Sequence, residues 1–271
     1  MLLCDDDPVS DLDAEPALVD EPTHRRAGRR WSVVLVAVLG FGLVAGLTFA
    51  LLAALHRQRA GSLPASSSTT QLRASGIPAS VPTSLAYLMA LSPVPNQLAP
   101  AFTLVDQHGR TVSLAGLRGR PVVLEFMDPH CVDVCPIVSQ EFIDAYHDLG
   151  PLASTVVFVA VNVNAYHSSV ADMAAYSREH HLNALPTWYF LTGPVASLEA
   201  VWHGYHVAVS APSPDADIVH TSVMYFIDPQ GRERYLAIPM IDHAANGTAY
   251  LPAGPLASWG MGIALVASSF S

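Results

Sequence analysis

Between Trp31 and Leu55 the chain runs for 25 residues, WSVVLVAVLGFGLVAGLTFALLAAL, without a charged side chain. At about 1.5 Å per residue such a helix crosses the ~30 Å hydrocarbon core of a bilayer with some tilt. A buried globular helix is usually shorter and keeps a polar stripe. A cleaved signal peptide has a shorter apolar core and no long acidic leader before it. The segment is therefore expected to be an uncleaved transmembrane anchor. Arg25, Arg26, Arg29 and Arg30 precede it and Arg57 and Arg59 follow, which favours an N-terminus inside and the C-terminal part outside. This is the expectation for a single-pass protein of the cell membrane, cytoplasmic at its N-terminus and extracytoplasmic beyond the anchor.

The rest of the chain is segmented around that span. Residues 1–30 hold eight acids and lack apolar periodicity, so they read as a disordered cytoplasmic leader. Residues 56–98 contain no acid and are rich in Ser, Pro, Ala and Thr, the composition of a flexible linker, with a short helix expected near Leu85–Leu91. From Ala99 onward there are 15 acids and six arginines. That acidity excludes nucleic acid as a partner, because phosphate contacts need a basic surface. All 13 basic residues are Arg and none is Lys in an Ala-rich chain, which points to a GC-rich bacterial genome.

Residues 99–271 alternate between strand and helix patterns. Phe102–Asp106 and Thr111–Leu114 flank the turn Gln107-His108-Gly109-Arg110, a hairpin signal. PVVLEFM (121–127), STVVFVAVNV (154–163) and TWYFLT (187–192) read as buried strands, with helical spacing over 134–149, 168–182 and 195–205 between and after them. SVMYFID (222–228) and Arg234–Ile238 are strands joined by Pro229-Gln230-Gly231, and Leu256–Phe270 closes the chain as a helix. The order predicts an α/β, thioredoxin-like domain with an N-terminal β-hairpin extension. The last helix is too short and too broken by Gly and Ser to be a second span.

Cys131 and Cys135 follow the first buried strand and open a helix. A spacing of i, i+4 there stacks both sulfurs on one face, and helix-start amides favour the thiolate. Thiolates are nucleophiles and also the soft ligands that select Cu(I). A third ligand is sought among the 12 histidines. In a thioredoxin-like topology the loop before the penultimate strand faces the active helix start, and His220 occupies it, 85 residues beyond Cys135. Thioredoxins usually place a cis-proline there. His130 abuts Cys131 and can tune its thiolate, lend a ligand or simply face solvent. His203, His206, His180 and His181 sit at helix ends, where the dipole alone favours them. Cys4 lies in the leader and is assigned no role.

These residues resemble the Sco/SenC copper proteins, membrane-anchored assembly factors for cytochrome c oxidase. The likeness rests on the opening Ala99-Pro-Ala-Phe-Thr-Leu-Val-Asp-Gln-His-Gly, the strand leading into Cys131-x-x-x-Cys135-Pro136, and His220 followed by a strand and Asp228-Pro229-Gln230-Gly231. It implies a copper ion, Cu(I) or Cu(II), held by Cys131, Cys135 and His220. It also implies a copper donor protein, and an acceptor that is an oxidase subunit or another cuproprotein. The chain departs from the usual pattern at Val132, where proline is common, and at Asn162-Val163-Asn164-Ala165, where Asp-Pro is common. The leading function is a metallochaperone whose cysteine pair, by reversible disulfide formation, gates loading. The alternative is a tethered thiol-disulfide oxidoreductase with Cys131 and Cys135 as its redox-active pair. A peroxiredoxin-like site ranks lowest, since Asp128 and Val132 stand where that chemistry needs Ser or Thr.

Overall fold

The computed structural model describes residues 76–214 and 216–271. The expected leader, the transmembrane span at Trp31–Leu55 and the linker up to residue 75 lie outside the described residues. Among those described, no helix is long and apolar enough to cross a membrane.

The central sheet explains why several segments are apolar at every position. After the short helix α1 (Thr83–Leu88) and the edge strand β1 (Ser92–Pro93), a hairpin of β2 (Thr103–Val105) and β3 (Thr111–Ser113) leads into β4 (Val122–Met127). Then come α2 (Val134–Asp148), β5 (Val157–Asn162), α3 (Val170–Glu179), β6 (Trp188–Leu191) and α4 (Val195–Gly204). A two-stranded arm, β7 (Val209–Ser210) and β8 (Val219–His220), precedes the hairpin of β9 (Met224–Ile227) and β10 (Glu233–Ala237). A small ribbon of β11 (Asp242–His243) and β12 (Ala249–Tyr250) and the long helix α5 (Ala253–Ser268) complete the chain. The sheet order is β1-β10-β9-β4-β5-β6, with β4, β5 and β6 parallel and β9 antiparallel to β4. This is the expected thioredoxin-like arrangement with its hairpin extension.

Both faces of the sheet are covered, so β4 and β5 are buried along their whole length. Val123, Met127, Phe158 and Phe226 face one core with Phe142 of α2 and Trp259 of α5. Leu124, Phe126, Val159 and Ile227 face the other, closed by Leu198 and Trp202 of α4 and by the β2–β3 hairpin. Two turns use one local device. Asp106 and Asp228 each accept two amide hydrogen bonds within their own turn and one from a guanidinium, that of Arg110 and of Arg234 respectively, and Gly109 and Gly231 each adopt φ 75°. In Asp106, burial raises the carboxyl pKa, but the Arg110 and His108 bonds bring it below its usual value.

The folded domain starts earlier than the composition suggests. Residues 76–98, read from their Ser, Pro and Thr content as linker, belong to the structure. Val81 and Met89 are fully buried, Ile77 and Leu85 nearly so, and β1 pairs with β10. The apolar residues recur every four positions beneath a polar composition, and that spacing, rather than the average, decides burial. Pro93 is accommodated because β1 is an edge strand. The two-residue strands β7, β8, β11 and β12 are too short to carry a periodicity in the sequence.

Helix α5 packs on α2 through a glycine. A Cβ at Gly260 would lie 2.5 Å from Asp144 Cβ and 3.1 Å from the Ala145 nitrogen. Gly260→Ala is therefore expected to lower stability by about 1–3 kcal/mol through overpacking, although alanine ordinarily favours a helix interior by about 1 kcal/mol. Met261→Ala at an exposed position of the same helix serves as control. Thermal unfolding of the two variants checks the difference, and equal melting temperatures would contradict the packing argument.

Candidate metal and thiol site

The site forms where β4 ends and α2 begins. Asp128-Pro129 breaks the strand, and Asp128 Oδ1 accepts from the His130 amide at 2.9 Å, turning the chain back toward the helix. Cys131 stands partly buried in this turn and Cys135 is buried in the first turn of α2. The Cys135 amide donates to Cys131 Sγ at 3.4 Å, the contact expected of an orphan amide at a helix start. Both cysteines are free thiols. The expectation that the two sulfurs meet at one strand-to-helix mouth therefore holds.

The two thiols are electrostatically unlike. A hydrogen bond from the Cys135 thiol, with the amides of Cys135 and Asp133, brings Cys131 down to about 7 against the cost of burial. Cys135 is pushed well above its usual value because it donates to Cys131 and because it is buried. Beneath it, Ser139 Oγ donates to the Cys135 carbonyl at 2.9 Å, which leaves Tyr176 OH as the donor to Ser139. In the reduced protein, alkylation of Cys131 should rise with pH around a midpoint of about 7 while Cys135 stays unmodified. Pulse labelling with iodoacetamide and peptide mass analysis reads this, and a midpoint at the ordinary thiol value near 8.5 would contradict it.

His220 lies on β8, at the base of the arm whose partner strand places Val209 opposite it. The Asp128 carboxylate acts electrostatically on both the His220 ring and the Cys131 thiol. The ligand atoms of Cys131, Cys135 and His220 are not all within 4.8 Å of one another; among the described residues His130, His167 and Asp172 form the group that meets that distance. Burial lowers the His220 pKa below its usual 6.5, opposed by the Thr221 carbonyl and by Asp128. His220 Nδ1 lies 3.0 Å from the Thr221 carbonyl oxygen. A carbonyl has no proton to give, so that hydrogen bond puts the ring proton on Nδ1 and leaves the Nε2 lone pair free.

Residues outside the expected set complete the site. Glu125, in the middle of β4, is buried with no side-chain partner for its carboxylate, and its charge acts on Cys135. Asn164 Nδ2 donates to Asp128 Oδ1 at 2.9 Å and ties the loop after β5 to the cysteine turn. His243 of β11 reaches Asp133, between the cysteines, at 3.2 Å. Glu125 had a visible signal, an acid within a strand otherwise apolar at every position. Asn164 and His243 had none, because their partners are distant in sequence.

The sequence pattern of the SCO1/SenC family matches residues 92–246, more than half of the chain. The protein is similar to "Protein SCO2 homolog, mitochondrial" of Bos taurus, 30% identical over 136 residues, which cover 48% of this chain and 50% of that one. It is similar also to "SCO1 protein homolog" of Bacillus subtilis, 24% identical over 133 residues, covering 48% of this chain and 68% of the relative. The chain thus spans about half the length of the first mitochondrial relatives it matches. Among solved structures, Bradyrhizobium japonicum ScoI with copper bound superposes with a TM-score of 0.50 at 24% identity, covering 65% of this chain and all of that one, a likeness of fold. With the cysteine turn, the distant histidine arm and the matched segment in agreement, the chain belongs to the SCO1/SenC family.

Proposed function

We propose that this protein is a membrane-anchored copper-binding metallochaperone that takes copper from a donor protein and passes it to a cytochrome c oxidase subunit or another cuproprotein. Its extracytoplasmic domain would hold the ion through Cys131, Cys135 and His220. The observation that carries the reading is chemical. Two sulfurs meet at a helix start, one of them titrating at about 7, and the Asp128 carboxylate that acts on this thiol acts also on an imidazole whose Nε2 lone pair is free. Two thiolates and one imidazole form a soft set suited to Cu(I), and they accept Cu(II) as well. Closure of the three ligands requires the β7–β8 arm to move inward. The arm's two strands are joined at their base by Thr221 N to the Ala208 carbonyl at 3.0 Å and Ala208 N to Thr221 Oγ1 at 3.1 Å, and Tyr166 OH donates to the Ala211 carbonyl at 3.2 Å from outside it. A disulfide between the cysteines would remove both sulfur ligands, so their oxidation state gates loading. The relatives named for copper-bound structures support this reading of the chain.

A second reading is favoured by the unequal thiols. A partly buried low-pKa thiol beside a buried high-pKa one is also the arrangement of a thiol-disulfide oxidoreductase, here one that would maintain the acceptor's cysteines. Metal analysis of the reduced full chain, with the reduction potential of the pair and its turnover on a dithiol acceptor, separates the two. One copper per chain with sulfur-to-copper charge-transfer absorption supports the chaperone. Rapid dithiol turnover without stoichiometric copper replaces it with the enzyme.

A further inference from the structure

We propose a second metal site beside the thiol pair, formed by His130, His167 and Asp172 and suited to a borderline divalent cation, Cu(II) foremost. One ligand atom from each of the three residues falls within a mutual 4.8 Å. Metal–nitrogen bonds of about 2.0–2.1 Å let two ligands of one ion stand up to ~4 Å apart. Small side-chain rotations therefore complete the site.

His130 is exposed and His167 and Asp172 are half-buried, and the backbone that carries them is held by built structure. The His130 and His167 rings stack with centroids 3.8 Å apart and planes inclined by 33°. Their loops are joined by the buried Asp128–Asn164 hydrogen bond, both residues being under a tenth exposed. Asp128 Oδ1 also accepts the His130 amide, and Asn164 Oδ1 accepts the His167 amide at 3.1 Å. Asn162 Nδ2 donates to the His167 carbonyl at 3.1 Å from a fully buried position. Asp172 is fixed by the capping box of α3. Its Oδ2 accepts from the Ser169 amide and hydroxyl at 3.1 and 2.7 Å, which leaves Oδ1 to face a ligand.

The donor set decides the metal class. Two imidazoles and one carboxylate suit Cu(II), Zn(II) or Ni(II), with Cu(II) the tightest in the Irving–Williams order, and they are poor partners for the soft Cu(I) that thiolates select. Three protein ligands leave a position open for water or an incoming ligand. Because His130 immediately precedes Cys131, such an ion would rest one residue from the thiols.

The site stands apart from the copper-chaperone reading and is tested without it. In the full chain carrying Cys131→Ser, Cys135→Ser and His220→Ala, titration with Zn(II) and with Cu(II) should still show one specific equivalent. Electron paramagnetic resonance of the Cu(II) form should show coupling to nitrogen. His130→Asn or His167→Asn in that background should each weaken binding at least ~10-fold and reduce the nitrogen coupling. Asp172→Asn should weaken it while leaving the coupling, and His147→Asn, at an exposed position on α2, should change neither. Binding untouched by the His130 and His167 variants, or weakened equally by His147→Asn, overturns the proposal.

Discussion

Cys131→Ser and Cys135→Ser are each expected to abolish stoichiometric copper binding in the presence of a competing chelator, with His220→Ala the mildest of the three losses. The order follows from what each ligand contributes. The sulfurs already meet at the start of α2 and bring charge as thiolates, whereas His220 is neutral and must be carried inward by its arm. Part of its binding energy is spent on that closure, so its removal should cost an amount comparable with the ~10–100-fold of losing an outer partner, and removal of a sulfur should cost more. Competition titration of the three reduced variants with a Cu(I) chelator measures this. Serine variants that keep full affinity would remove copper from the account of this protein. A His220→Ala chain that keeps full affinity and full dithiol turnover would shift the account to the oxidoreductase.

The parts of this site visible in the sequence are those that local physics encodes. A run of apolar residues ending in Asp-Pro and followed by two cysteines four apart specifies strand, turn and helix start, and the structure has each in place. His220 could be assigned to the mouth because a thioredoxin-like topology puts one particular loop there. What it could not disclose was that the three ligand atoms are not all within 4.8 Å of one another. The His130–His167 stack was invisible for a similar reason. It depends on a hydrogen bond between side chains 36 residues apart, Asp128 and Asn164. Ile77, Val81, Leu85 and Met89 show the opposite failure: their pattern was present, but a polar composition masked it.

Glu125→Gln is expected to stabilise the protein at neutral and alkaline pH and to leave it unchanged near pH 4.5. Glu125 is buried on β4 and Glu141 is buried on α2, neither with a side-chain partner for its carboxylate, and only the Phe126 and Val223 amides weakly oppose the effect of burial on Glu125. Burial pushes Glu125 up to about 8; for Glu141, burial together with the charges of Glu125 and Asp144 gives about 9. Both start from an ordinary value of 4.5. Between the unfolded and folded values the native state binds a proton that the unfolded state has released, so stability falls as pH rises through that window. The penalty begins above about 4.5 and is complete only beyond the folded pKa values. At about 1.4 kcal/mol per pKa unit, the 2.5 units between 4.5 and pH 7 make Glu125 cost on the order of 3 kcal/mol there. Glutamine keeps the shape, cannot ionise, and removes that cost. Because Glu125 and Glu141 repel when charged, the gains of Glu125→Gln and Glu141→Gln should not add. Chemical denaturation at pH 5 and pH 8 gives the test. A stability difference between Glu125→Gln and the unsubstituted chain that fails to grow with pH would mean that the carboxyl is ionised in the fold.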